Sequence, residues 1–114
     1  MLYAELQKIK NLAKEENNLK EILRSIKKYN QSHGVKYQTY SEEKISAMLK
    51  KVQEERSILI AELNDLFTNA AISPELVEKI KLFYISDKSA SYISSRLNLD
   101  MDNFHRDVKD FLYR

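Results

Sequence analysis

The chain has 114 residues, 43% hydrophobic and 32% charged, with a formal net charge of +2. That is enough for one domain, or a small domain with a helical extension, and too little charge to imply nucleic acid by itself. One glycine and one proline leave little room for strand hairpins, and the absence of cysteine excludes disulfides and thiolate metal sites. No apolar run approaches the length of a membrane span, and no charged block followed by an apolar one opens the chain. An all-α, cytoplasmic protein without membrane contact is expected.

Residues 2 to about 29 read as the first long helix. Ile9, Leu12, Leu19, Leu23 and Ile26 follow steps of three and four, Leu2, Leu6 and Ile22 broaden the stripe, and Glu16 is the one polar seam position. Residues 42 to 67 repeat the pattern with Ile45, Leu49, Val52, Leu59, Leu63 and Leu66, and here Arg56 is the polar position. Between them, residues 29–41 have no helical period and contain Gly34. Thr39 or Ser41 can cap the second helix, and Thr39 with Glu42 has capping-box spacing.

Folded back at Gly34, the two stripes make an antiparallel, coiled-coil-like helical hairpin over residues 1–68. Facing positions sum to about 71 or 72, so Ile26 meets Ile45, Leu23 meets Leu49, Leu19 meets Val52, Leu12 meets Leu59 and Ile9 meets Leu63. In that register Glu16 meets Arg56. A slipped register would bury a charge against leucine at a cost of several kcal/mol, so the pair is expected to set the register; snorkelling of both side chains to solvent is the alternative. A parallel homodimer would place like charges together and is disfavoured. The outer faces still carry Tyr3, Leu6, Ile22, Ile58, Ile60 and Phe67. Some of these are expected to pack on the rest of the chain and others to form a homodimer interface.

The periodicity breaks from Asn69 to Ser73. Ser73-Pro74-Glu75 is a helix start, with Ser as cap and Pro at the first position. Leu76, Val77, Ile80 and Phe83 or Tyr84 form its stripe, and Asp87-Lys88-Ser89 reads as a turn. Two short amphipathic segments follow. In the first, Ile93 and Leu97 share a face, with the small Ser94 beside Ile93; Asn98 is a helix stop that tolerates the left-handed conformation. Leu99 can point to the core, and Asp100 can cap the second, in which Phe104, Val108 and Phe111 or Leu112 recur. Helices at about 74–85, 89–97 and 101–113 would make a trihelical unit over residues 69–114, around Val77, Ile80, Tyr84, Ile93, Leu97, Phe104 and Val108. The last pair resembles a helix-turn-helix, whose second helix can enter the DNA major groove.

From Ile80-Lys81-Leu82-Phe83-Tyr84-Ile85 through Tyr92-Ile93, Leu97-Asn98-Leu99 and Phe104-His105-Arg106 the chain is similar to sigma-factor region 4 and to phage late-gene activators of the ArpU type, which also carry a long helical region ahead of the domain. The resemblance implies a phage- or prophage-derived, sequence-specific transcriptional regulator that binds double-stranded DNA, as a dimer. Carried over, the reading positions are Asp100, Met101, Asp102, Asn103, His105, Arg106 and Lys109. Arg106 and Lys109 suit guanine or phosphate, and an outward Asn103 suits adenine. Asp102 and Asp107 depart from a phosphate-facing pattern, and residues 71–114 balance 7 Lys+Arg against 7 Asp+Glu.

No catalytic, cofactor or metal constellation stands out. His33 and His105 are far apart, one glycine permits no phosphate-binding loop, and the doublets Glu15-Glu16, Glu42-Glu43 and Glu54-Glu55 do not share a helix face. Tyr29, Tyr37 and Tyr40 with Lys27, Lys28 and Lys36 form either a basic-aromatic patch or packing at the hairpin end. A non-enzyme without cofactor is expected. The alternative to DNA binding is a protein-interaction or assembly role, with the hairpin as its surface.

Overall fold

Lys, Glu and Leu dominate both long segments and favour helix strongly. In the computed structural model, which describes residues 1–33, 39–86, 90–98 and 100–113 (the side chains of 33, 39, 40 and 90 excepted), every regular element is a helix. Helix α1 spans Tyr3–His33 and α2 spans Thr39–Asn69. Both run further into the 29–41 segment than periodicity alone indicates. The expected turn at Gly34 lies outside the described residues, and α2 already includes Thr39 and Ser41, the two expected caps, as helical residues because it starts earlier than the apolar periodicity. Helix α3, Pro74–Ile80, continues into a wide-wound π turn over Lys81–Ile85; α4 spans Ala90–Leu97 and α5 spans Met101–Leu112.

Helices α1 and α2 lie side by side with opposed chain directions: Met1 sits beside Glu62, Asp65, Leu66 and Asn69, whereas Glu16 meets Gln53 and Arg56. Two 31-residue helices, about 46 Å long at 1.5 Å per residue, account for the 56 × 28 × 19 Å extents. The seam residues Ile9, Leu12, Leu19, Val52, Leu59 and Leu63 are all buried. Burial stops there: among the described residues between Lys20 and Lys51 no side chain is fully buried. Leu23, Ile26, Ile45 and Leu49 are half-buried, while Ile22, expected to broaden the stripe, and Met48 are exposed.

The C-terminal helices complete the other end. Leu6 and Ile9 of α1 and Leu63 of α2 join Ile80, Phe83, Tyr84, Ile93, Phe104, Val108 and Phe111 in one continuous core. Phe67 stacks on Phe111 with ring centroids 5.9 Å apart, and Phe83 packs edge-on against Phe104 at 5.3 Å. Val77 and Leu97, expected at the centre, are only half-buried. The long helices and the shorter ones thus share a core across the break in helix at about residues 70–73.

The π turn explains how adjacent Phe83 and Tyr84 are both buried. Winding i to i+5, closed by Ser86 N–H donating to the Lys81 carbonyl, widens the backbone locally. It also presents its carbonyls sideways. Lys10 Nζ donates to the Phe83 carbonyl and sits 4.2 Å from the Phe83 ring centroid, and Arg56 donates to the Ile85 carbonyl. Two cations from the long helices therefore satisfy carbonyls at the end of this helix, where the backbone dipole favours positive charge.

Arg56 has a second partner: its Nη1 lies 3.4 Å from Glu16 Oε2, with both side chains largely removed from solvent. Gln53 Nε2 donates to Glu16 Oε1 at 3.1 Å, and Lys20 Nζ pairs with Glu16 at 3.2 Å. Burial opposes ionisation of Glu16, but Gln53, Lys20 and Arg56 outweigh it and hold its carboxyl below the usual glutamate range. Because the folded value is the lower one, Glu16 contributes stability that is complete above the unfolded value, about 4.3, and is lost as pH falls through the folded value. Thermal melts across this acid range should fall more steeply for the wild type than for Glu16→Gln; parallel curves would exclude Glu16 as a source of the acid dependence. Charge exchange tests the pair itself. Either reversal, Glu16→Arg or Arg56→Glu, should destabilise, and the double exchange should recover part of the loss. Recovery is incomplete because a carboxylate at position 56 faces the Ile85 carbonyl. A double variant no more stable than the worse single one would show that the pair contributes no coupling.

Candidate nucleic-acid interface

The turn between α4 and α5 is built by two residues. Asn98 takes a positive φ of 51°, the left-handed conformation that ends α4 and that Asn adopts more readily than most residues. Two positions later Asp100 caps α5, its Oδ1 accepting from Asp102 N–H at 3.1 Å and Asn103 N–H at 3.3 Å. Between them, Leu99 and its expected inward side chain lie outside the described residues. Ile93 in α4 and Phe104, Val108 and Phe111 in α5 point to the core. The amphipathic spacing in the sequence is what puts Asp102, Asn103, Arg106, Asp107, Lys109 and Asp110 outside.

Of the expected reading positions, the structure turns Asp102, Asn103, Arg106 and Lys109 outward and draws Met101 and His105 partly in. Met101 packs against the core. His105 Nδ1 is 3.2 Å from the Tyr3 hydroxyl, and its ring lies edge-on to Tyr3 and Phe83, with centroids at 6.3 and 6.1 Å. Lys109 Nζ stands 5.2 Å from the Tyr3 ring centroid, and the Tyr113 hydroxyl accepts from Tyr3 N–H at 3.0 Å. The start of α1 thus runs beside His105 and Lys109 of α5 and Tyr113 just past its end, leaving Lys109 and Tyr113 exposed. Sequence reasoning missed this because Tyr3 carries no motif and meets α5 only through the fold.

Asn103 is exposed, but its Nδ2 donates to Asp100 Oδ2 at 3.0 Å. Arg106 is the exposed cation of α5 that meets no ring or carboxylate among the described residues. On its far edge α5 forms a groove with α3 lined by Ser73, Glu75, Leu76, Lys79, Asp107 and Asp110, in which three carboxylates face one lysine. Phosphate has little to gain there.

A denser cationic surface lies elsewhere. Lys20, Leu23, Arg24, Lys27, Lys28 and Gln31 line a groove along α1 beyond the C-terminal helices. Residues 20–51 carry 8 Lys+Arg against 3 Asp+Glu, whereas residues 52–114 carry 8 against 11. The net +2 conceals a positive end and a negative end.

Among the described residues no group of three His, Asp or Glu side chains could hold a metal ion, and no helix is long and apolar enough to cross a membrane. No protein-family model, curated protein or solved structure matches this chain. The α4–α5 turn can be checked directly. Asp100→Ala removes the acceptor for two backbone N–H groups and should cost about 1 kcal/mol, read as a lower melting temperature by circular dichroism. An unchanged melt would mean that the cap contributes nothing to stability.

Proposed function

We propose that the protein is a non-enzymatic, sequence-specific regulator that binds double-stranded DNA, with residues 69–114 acting as a helix-turn-helix unit and the residue 1–68 hairpin as its dimerisation arm. The observation that carries this reading is the α4–α5 turn. Left-handed Asn98 and capping Asp100 set α5 off from α4 with Asp102, Asn103 and Arg106 exposed on its first two turns, where a recognition helix meets base edges. Arg106 is the base-reading residue, suited to guanine O6 and N7, and Asn103 reads adenine once it exchanges Asp100 for a base. Asp102 accepts from cytosine or enforces a preference by repelling wrongly placed phosphate. His105, Lys109 and Met101 support α5 from behind and beside, through Tyr3 and the core.

Selection from a random duplex pool should enrich a repeated half-site. Arg106→Ala should then relax preference at one base position by about 1–3 kcal/mol while leaving the others intact. A folded wild-type protein that enriches no sequence at low salt would overturn the reading.

One observation favours a second reading, an interaction or assembly protein that uses the hairpin. The half of the long-helix pair away from the C-terminal helices buries no side chain completely among the described residues, and it leaves Ile22 and Met48 exposed. Such a surface gains from a partner, and a second hairpin would complete a helical bundle. In this reading the protein associates in solution and selects no DNA sequence.

A further inference from the structure

The exposed face of α5 offers few cations to phosphate, and most of the affinity of a DNA-binding protein comes from phosphate contacts. If the chain binds duplex, those contacts have to be made elsewhere. We infer that the strip Lys20, Arg24, Lys27 and Lys28 on α1, with Gln31 at its end, is a phosphate-backbone clamp for duplex DNA. This inference rests on the DNA-binding reading and assigns it a second contact surface.

Helical spacing places the strip. Tyr3, Lys10, Asn17, Arg24 and Gln31 recur every seven residues, a line that drifts only about 20° per repeat along a straight helix. Tyr3 meets His105, and Lys10 meets Phe83. The same line of α1 that carries the C-terminal helices therefore continues beyond them, through exposed Asn17, as Arg24 and Gln31. Lys20, Lys27 and Lys28 flank Arg24 at the i−4, i+3 and i+4 positions, the neighbouring sites on a helix surface. From Lys20 to Gln31 the strip is about 16 Å long.

Its chemistry selects a polyanion. Lys20 shares Glu16 with Arg56, but no carboxylate among the described residues pairs with Arg24, Lys27 or Lys28. The one acidic residue between Lys20 and Gln31 is Glu21, which stands at the edge of the strip, three residues before Arg24, against four cations. The apolar side of this stretch, a groove of Asn18, Glu21, Ile22, Ser25 and Ile26, lies on another face. A membrane-surface helix would insert that face, but Ile26 there is already half-buried, so the apolar area left for a lipid boundary is small. Around the strip itself the half-buried Leu23 supplies the apolar surface. A row of four cations, three of them without a carboxylate partner among the described residues, matches a row of phosphates.

The test measures affinity for a random-sequence duplex between about 50 and 200 mM salt, comparing the wild type with Arg24→Gln/Lys27→Gln/Lys28→Gln. The triple variant should bind at least about tenfold more weakly at low salt, and the slope of log affinity against log salt should shrink by about 3, roughly one for each cation removed from the phosphates. Arg24→Lys with Lys27→Arg and Lys28→Arg should retain binding, which separates charge from fold, and the melts of all variants should coincide because these side chains are exposed. Equal affinity and equal slope in the wild type and the triple-Gln variant would overturn the clamp and leave the DNA-binding reading standing. A wild type that binds no duplex at low salt would overturn both. Tighter binding to phosphatidylserine vesicles or polyglutamate than to duplex would assign the strip to a different polyanion and overturn the clamp.

Discussion

Arg56 is the side chain through which the three parts of the molecule are joined. It leaves α2, reaches Glu16 on α1, and donates to the Ile85 carbonyl at the end of the π turn. A largely buried guanidinium is tolerable only when charge and hydrogen bonds compensate its desolvation. Here a carboxylate supplies the charge, and a helix-end carbonyl supplies a dipole of the right sign. Glu16 depends on Arg56 in the same way and is further steadied by Gln53 and Lys20. Sliding α1 against α2, or lifting the π turn from the pair, would separate these groups.

That constraint reaches α5 through α1. Lys10 secures Phe83 from the same helix, and Tyr3 secures His105 and Tyr113 at its start. The C-terminal helices are therefore braced along one side of the long pair. Bracing sets the surroundings of α5: His105 turns toward Tyr3, Lys109 lies over the Tyr3 ring but stays exposed, and residues 102, 103 and 106 turn to solvent. The contacts that hold α5 in place engage His105 and set Lys109 over the Tyr3 ring.

The charge layout follows from the same division of labour. Where α1 is covered by other helices, the line of positions through Tyr3 and Lys10 carries packing and capping groups. Beyond the covered region it carries Arg24 among three lysines. The acids collect at the other end, in the groove between α3 and α5. At physiological salt, charges more than about 8 Å apart act on separate partners, so the positive and negative ends behave as distinct surfaces.

Much of this architecture is legible in the residue order. Steps of three and four marked both long helices, Ser73-Pro74-Glu75 marked the start of α3, and Asn98 with Asp100 marked the α4–α5 turn, since each is a local signal in which backbone preference and hydrogen-bonding chemistry coincide. Even the meeting of Glu16 with Arg56 followed from counting, because each is the one polar interruption of its apolar seam. The residue order did not reveal the π winding at Lys81–Ile85, which exists because Phe83 and Tyr84 are both drawn into the core and Lys10 and Arg56 donate to the displaced carbonyls. Nor did it reveal the withdrawal of His105 by Tyr3, two residues more than a hundred positions apart. Local sequence determined where helices begin, end and turn apolar; the tertiary structure alone decided which polar side chains of those helices stay free, because that depends on which surfaces the helices cover when they pack.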